Sequence, residues 1–316
     1  MPKYSRKKIF KKVAKQFNGN GLVILLSSLF IIASFLSGIL FEKTTNLNSQ
    51  QNNVNVNNEI KDENLVALQN KVLKDKYIFN IKWADLGKKM VEDGVIDKTV
   101  LAQSIAGTDI LPKDLDKYFT GDQNKIEVNQ ENAQFWVDVL WGLGLANKNK
   151  ILEEGDMMME DDPSIFASTG GYSLSNGDPM DHYSKHSYII LSEEEQKTVS
   201  EIAGNIYRPC CGNSTAFPDC NHGMAMLGLI ELMVSLGKSP DEIYKTALAF
   251  NTYWFPQTYL ETSLYLDKNG QDYSKVSAQQ LLSQKFSSVG RDEAISLETQ
   301  GANWPILGGE GGSCGA

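Results

Sequence analysis

Histidine and cysteine are scarce in this chain, three and four among 316 residues. No Cys-x-x-Cys pair occurs and no Cys-x-x-Cys-His, which excludes the common dithiol redox motif, the zinc ribbon and covalent haem attachment. No Gly-x-Ser-x-Gly nucleophile elbow is present. Gly237-Lys238-Ser239 lacks the glycine that a phosphate loop needs five positions earlier, where Leu232 stands. Apolar residues hardly alternate with period two, so the expected fold class is all-α. Basic residues are concentrated at the start: Lys3, Arg6, Lys7, Lys8, Lys11, Lys12 and Lys15 precede any acid. Taking those seven positive charges from the total of −9 leaves the remainder near −16. A body so acidic repels phosphate backbones, and no nucleic-acid partner is expected.

One long uncharged run is present, Leu22 to Phe41. At about 1.5 Å per residue it spans roughly 30 Å, the thickness of a bilayer core. The lysines before it place the N-terminus in the cytoplasm and the main domain outside. No small-x-small cleavage site stands out, so an uncleaved, single-pass signal anchor in the cell membrane is expected, with the lipid bilayer as partner of residues 22–41. The chain then divides as follows. Residues 1–20 are a basic cytoplasmic head, 21–41 the transmembrane anchor, and 42–62 an Asn/Gln-rich stalk. Residues 63–155 form an N-terminal helical subdomain, 156–300 a helical Cys/His domain, and 301–316 a Gly-rich tail carrying Cys314.

Helical spacing of Leu65, Leu68, Val72 and Leu73 predicts a helix from Glu63. Trp83 to Val91 predicts a second, stopped by Gly94. Asp97 is a cap for a third through Ile105, and Asn129 for a fourth over Gln130 to Ala146. Residues 155–190 read as a long connection. Within it, Asp178-Pro179-Met180-Asp181 has the form of a helix start, which would put His182 and His186 four apart on one face. Ser192-Glu-Glu-Glu195 and Ser239-Pro-Asp-Glu242 are capping boxes. Asp219 is the expected cap of the helix ending near Leu236, which is apolar except for Glu231 and too short to span a bilayer. Met224, Met226 and Met233 on that helix read as core.

Tyr207 to Met226 holds Cys210, Cys211, Cys220 and His222. Arg208 precedes the cysteines in a loop between two predicted helices. Thiols and an imidazole gathered this closely can exchange disulfides or hold a soft metal. Cys220 at a helix N-terminus, with Arg208 near, favours a thiolate.

The layout resembles the cytochrome c maturation thiol oxidoreductases of the CcmH type over about 193–256. In that family a Leu-Arg-Cys-x-x-Cys motif follows the first helix of a membrane-anchored three-helix domain. Here Tyr207-Arg208-Pro-Cys-Cys takes the motif's place, and Gly237-Lys-Ser-Pro-Asp-Glu242 matches the turn before the last helix. The likeness carries over Arg208 and one or both loop cysteines, and implies service to cytochrome or metalloprotein assembly on a thiol-bearing or metalloprotein client. Adjacent Cys210-Cys211 in place of Cys-x-x-Cys, and the added Cys220-Asn-His222, depart from the pattern.

Three functions stay open on the sequence. In thiol–disulfide exchange, Cys220 or Cys211 attacks, Cys210 or Cys314 resolves and Arg208 stabilises charge; if the chain is an enzyme, it is oxidoreductase-like. A non-enzymatic carrier would hold copper or zinc through Cys210, Cys211, Cys220 and His222, joined by His182 and His186. Regular helix geometry would point Cys220 and His222 apart, unless Cys220 lies outside the helix. The third is a disulfide-stapled envelope scaffold. Trp254, Phe255 and Tyr259 read as core closure, with an aromatic wall for haem ranking behind copper and zinc as a cofactor reading.

Overall fold

Helical spacing becomes helices at the expected places. The computed structural model describes residues 62–159, 162–291 and 293–305. The basic head, the apolar run 22–41, the Asn/Gln-rich tract and Cys314 lie outside the described residues. Among those described, no helix is long and apolar enough to cross a membrane. In chain order the first helices are α1 (Asp62–Val72), α2 (Leu86–Glu92), α3 (Lys98–Ala106), α4 (Lys113–Thr120), α5 (Ala133–Ala146) and α6 (Lys150–Glu154). The second set is α7 (Glu193–Gly204), α8 (Asn221–Ser235), α9 (Pro240–Trp254) and α10 (Pro256–Lys268). Three short ones close the described chain: α11 (Ala278–Leu281), α12 (Gln284–Ser287) and α13 (Glu293–Thr299).

The described residues are mainly helical, in keeping with the all-α expectation, with one short two-stranded ribbon that it did not include. Strands β1 (Tyr77–Phe79) and β2 (Ile126–Val128) pair antiparallel, with Ile78 opposite Glu127. Three-residue strands are too short to leave a period-two signature. Other boundaries moved as well. Trp83 precedes α2 and is fully buried, its indole N–H donating to the Tyr118 carbonyl at 2.9 Å. Helix α5 begins three residues later than a cap at Asn129 would place it. Asn129 and Asn132 bond each other reciprocally, backbone N–H to side-chain oxygen, at 2.9 Å in both directions. That exchange makes a turn out of the expected first helical turn. Asp97 caps α3 as expected, accepting from Thr99 and Val100 N–H.

The segments 63–155 and 156–300 share one apolar core. At its centre α5 meets α8. A Cβ added to Gly144 would come within 2.1 Å of the Met224 carbonyl oxygen, and one on Gly228 within 2.6 Å of the Leu140 carbonyl. The two glycines let the helix backbones touch, which larger residues forbid. Met224, Met226 and Met233 are buried there, as expected of core residues.

Glu231, the single charge on α8, is fully buried. Asn147 donates to its Oε2 at 2.9 Å and Asn149 to its Oε1, while Asn147 Oδ1 accepts from Ile189 N–H at 2.8 Å. Burial drives the Glu231 pKa well up, against those two amides. The group thus ties α8 to the connection after α5 by polar bonds that leave neither carboxylate oxygen bare.

Helix α8 packs on α5 and also touches α7 and α9. Ser192 and Ser239 make full capping boxes with Glu195 and Glu242. Gly237 follows α8 in the left-handed conformation, φ +65°.

Candidate functional site

The cysteine loop is shaped by its own backbone before any tertiary contact. Ile206 and Thr215 close it: Thr215 N–H and Oγ1 both donate to the Ile206 carbonyl, and Tyr207 pairs with Ser214 in an antiparallel bridge. Within it Cys211 N–H donates to the Arg208 carbonyl at 3.1 Å. This is a β-turn with Pro209 at its second position, where the ring's fixed φ fits. A further turn, Phe217 N–H to the Ser214 carbonyl, leads into α8.

Three neighbouring segments fix the loop from outside. Tyr207 N–H reaches the Leu282 carbonyl at 2.9 Å, and Val289 N–H reaches the Cys211 carbonyl at the same distance. Asn251 donates its amide to the Tyr207 carbonyl at 3.1 Å. On another side Ser168 N–H meets the Asp219 carbonyl, and the rings of Phe166 and Phe217 meet edge to face at 5.5 Å. The long connection 155–190 therefore has a use as a brace for the loop.

The brace brings three sulfurs together. Cys210 Sγ lies 3.6 Å from Cys220 Sγ and 3.4 Å from Cys211 Sγ, and all three fall within 4.8 Å of one another. They are free thiols, each partly exposed. In a tetrahedral site with zinc–sulfur bonds of about 2.3 Å, sulfurs stand about 3.8 Å apart. The observed spacings approach that value, whereas a disulfide needs about 2.05 Å. Among the described residues this is the only grouping of three such ligands.

Cys220 is itself the N-cap of α8, in extended conformation, with Sγ accepting from Gly223 N–H at 3.4 Å. The expected cap, Asp219, is otherwise occupied: its Oδ1 accepts from Arg208 Nη2 at 2.7 Å and its Oδ2 from Asn213 at 3.0 Å. A sulfur therefore stands where an oxygen cap was expected, because the buried guanidinium takes the neighbouring carboxylate. Cys220 consequently lies outside the helix proper and turns toward the loop.

Arg208 is fully buried. Its Nη1 donates to the Asn213 carbonyl at 3.0 Å, and its Nη2 to the Phe217 carbonyl at 3.3 Å and to Cys220 Sγ at 3.5 Å. Its Nε is buried without a partner. The guanidinium lies against Gly223, where a Cβ would come within 2.8 Å of its central carbon. Burial opposes the arginine's charge, but Cys220, Cys211 and Asp219 hold it on.

The thiols accordingly differ. Donation from Cys210 and Cys211, with Arg208 and Gly223 N–H, draws Cys220 far toward the thiolate against the cost of burial. Its neighbours push the Cys210 thiol strongly up. Cys211, pulled down by Cys210 but raised by Cys220 and burial, stands at about 11. The three titrate as a coupled set, with Cys220 favoured as the anion.

The histidines fall elsewhere. His222 follows Cys220, but its ring rests against Phe255 at 4.5 Å and Trp254 at 5.7 Å between centroids, and it does not join the sulfur group. Burial pushes its pKa down to about 4. The aromatic pair packs against this partly exposed imidazole, and Tyr259 is buried, hydrogen-bonded to Asn251 and Ser287. His182 and His186 do meet, Nδ1 to Nε2 at 3.1 Å with stacked rings, although only a single 3₁₀ turn (Pro179–Asp181) stands where a helix was expected. Ser184, at φ +48°, makes the bend that joins them. The pair packs beside Asp93, Gly94 and Tyr188, and it does not enter the sulfur group. Of the residues singled out in sequence, Arg208, Cys210, Cys211 and Cys220 converge; His222, His182 and His186 do not, and Cys314 lies outside the described residues.

Asp219, Asn213, Gly223 and Val289 are the contributors that sequence reasoning missed. A glycine in the first turn of an otherwise apolar helix was the one available signal, for Gly223. Nothing in sequence marks Val289. Comparison with known proteins returns no match: no family model, curated protein or solved structure is similar to this chain.

Proposed function

We propose that this chain handles a thiophilic metal ion outside the cytoplasm, held at the membrane by residues 22–41 and binding the ion through Cys210, Cys211 and Cys220. The observation that carries the reading is the meeting of three free sulfurs on a braced loop, at spacings close to the edges of a metal–thiolate polyhedron. A disulfide uses two sulfurs, and a scaffold needs them bonded. Partial exposure of all three leaves the ion open to delivery and removal. Arg208 and Gly223 act on the ligand set from behind, as outer partners that tune a coordinating group. Service to cytochrome or copper-protein assembly follows from the CcmH-type resemblance, on a metalloprotein client.

One observation favours thiol–disulfide exchange as the second reading: the Cys220 sulfur, drawn toward the thiolate, lies 3.6 Å from Cys210 Sγ. Cys220 would attack a client disulfide and release one client thiolate. Cys210, giving up its proton, would then close the Cys210–Cys220 bond and release the second. The client gains two electrons and this chain loses two.

Elemental analysis of the purified full-length protein, with thiols counted before and after reduction, separates the two. Metal near one equivalent per chain, lost in Cys220→Ser, supports the metal site. A labile disulfide with no metal in the reduced protein supports exchange.

A further inference from the structure

We infer that the three-sulfur site takes one monovalent soft cation of filled d shell, Cu(I) being the biological case, in three-coordinate sulfur ligation without a fourth protein ligand. This rests on the metal reading above and adds the ion's charge and coordination number.

The donor count comes first. Structural zinc sites are closed by four protein ligands, and here no fourth His, Cys, Asp or Glu among the described residues joins the three sulfurs. The His222 ring packs against Phe255 and Trp254 and does not enter the sulfur group. Asp219 gives one oxygen to Arg208 and the other to Asn213. His182 and His186 bond each other beside Asp93. A zinc with three protein ligands and a water is the catalytic alternative, but of the groups flanking the sulfurs Asp219 already has both carboxylate oxygens in hydrogen bonds. An all-thiolate set of three instead suits a soft ion content with low coordination.

Charge points the same way. Three thiolates around a monovalent ion leave −2 at the centre, where a divalent ion leaves −1. The chain places a fully buried guanidinium 3.5 Å from Cys220 Sγ and the α8 N-terminus behind the same sulfur, with Gly223 N–H at 3.4 Å. Asp219, whose side chain is 24 % exposed, is screened by solvent in a way Arg208, at 0 %, is not. The unpartnered Arg208 Nε is a spare donor in this buried position. Such compensation fits a centre with surplus negative charge. Binding would displace the protons that the thiols still hold, with no change in the ion's oxidation state.

The test is anaerobic titration of the reduced full-length protein with Cu(I) against a chromophoric Cu(I) chelator. Zn(II) is titrated separately, and the copper-loaded protein is measured by X-ray absorption. The expected result is one Cu(I) per chain with three sulfur neighbours and no nitrogen or oxygen, and Zn(II) displaced by one equivalent of Cu(I). Cys220→Ser keeps a good helix cap while removing the sulfur, and should weaken Cu(I) binding more than about 100-fold. Cys211→Ser, away from any helix, should do the same and decides the matter if the first variant fails to fold. His222→Phe should leave stoichiometry and spectrum unchanged. Zn(II) held in preference to Cu(I), or copper with a nitrogen neighbour lost in His222→Phe, would overturn the inference while leaving a metal site. Failure of the folded, reduced protein to bind either ion would overturn both.

Discussion

Arg208 Nη2 stands 3.5 Å from Cys220 Sγ while the same nitrogen holds Asp219 at 2.7 Å, so one buried cation serves a sulfur and a carboxylate together. Removing its charge leaves Asp219 with Asn213 alone. Arg208→Met is expected to destabilise the fold by about 3 kcal/mol in urea titration, the scale for stripping one partner from a buried pair. In Arg208→Lys, which keeps charge but loses the fork, the expected loss is about 10-fold or more in metal affinity. An Arg208→Met variant as stable as the parent would show that the pair does not hold the loop.

Gly223 gives a test whose sign is informative. Alanine within a helix ordinarily stabilises relative to glycine by about 1 kcal/mol. Here the added methyl would collide with the guanidinium, and Gly223→Ala is expected to destabilise by about 1–3 kcal/mol. Gly204 ends α7 with nothing within 4 Å of its would-be Cβ, and Gly204→Ala is the control expected to stabilise. Chemical denaturation of both variants reads the contrast, and a stabilising Gly223→Ala would refute the close approach.

At the α5–α8 crossing the obstacle is backbone rather than a movable side chain. Gly144→Ala must separate the helices, since its Cβ would fall 2.1 Å from the Met224 oxygen. A loss above about 3 kcal/mol, seen as a large fall in thermal midpoint, is expected. A midpoint within a few degrees of the parent would place the crossing elsewhere.

Asp138 supplies a pH dependence. It is 4 % exposed, and burial raises its pKa from 3.8 to about 6 against bonds from Gln134 and Ser104. A carboxyl raised in the folded state binds its proton more tightly there than in the unfolded chain. Its contribution is complete below pH 3.8 and is lost as pH rises to about 6. The stability difference between Asp138→Asn and the parent should therefore shift in the variant's favour across that window, by about 3 kcal/mol at most. Parallel urea curves from pH 3.5 to 7 check it, and a pH-independent difference would contradict the assignment.

Sequence revealed the helices wherever a cap and a stripe coincide, as at Ser192, Ser239 and Asp97. It failed at the three-residue strands, which leave too little pattern, and at α4 and α10. Tyr259 lies on α10, which opens with Pro256 at its first turn directly after α9, rather than in a core-closing segment beyond the last helix. The sulfur cluster was legible as a crowding of rare residues. Its geometry was not, since it depends on distant backbone groups at Leu282 and Val289 and on the Arg208–Asp219 contact that makes Cys220 the cap. The three histidines show the limit from the other side: rarity suggested a shared site, and packing dispersed them.

The most direct measurement is absorbance of the reduced full-length protein during titration with Cd(II), which reports sulfur–metal bonds by a charge-transfer band. Convergence of Cys210, Cys211 and Cys220 requires a band that saturates at one ion per chain and falls in each single Cys→Ser variant. Absence of a saturating band, or a band indifferent to removal of Cys220, would mean the sulfurs do not meet.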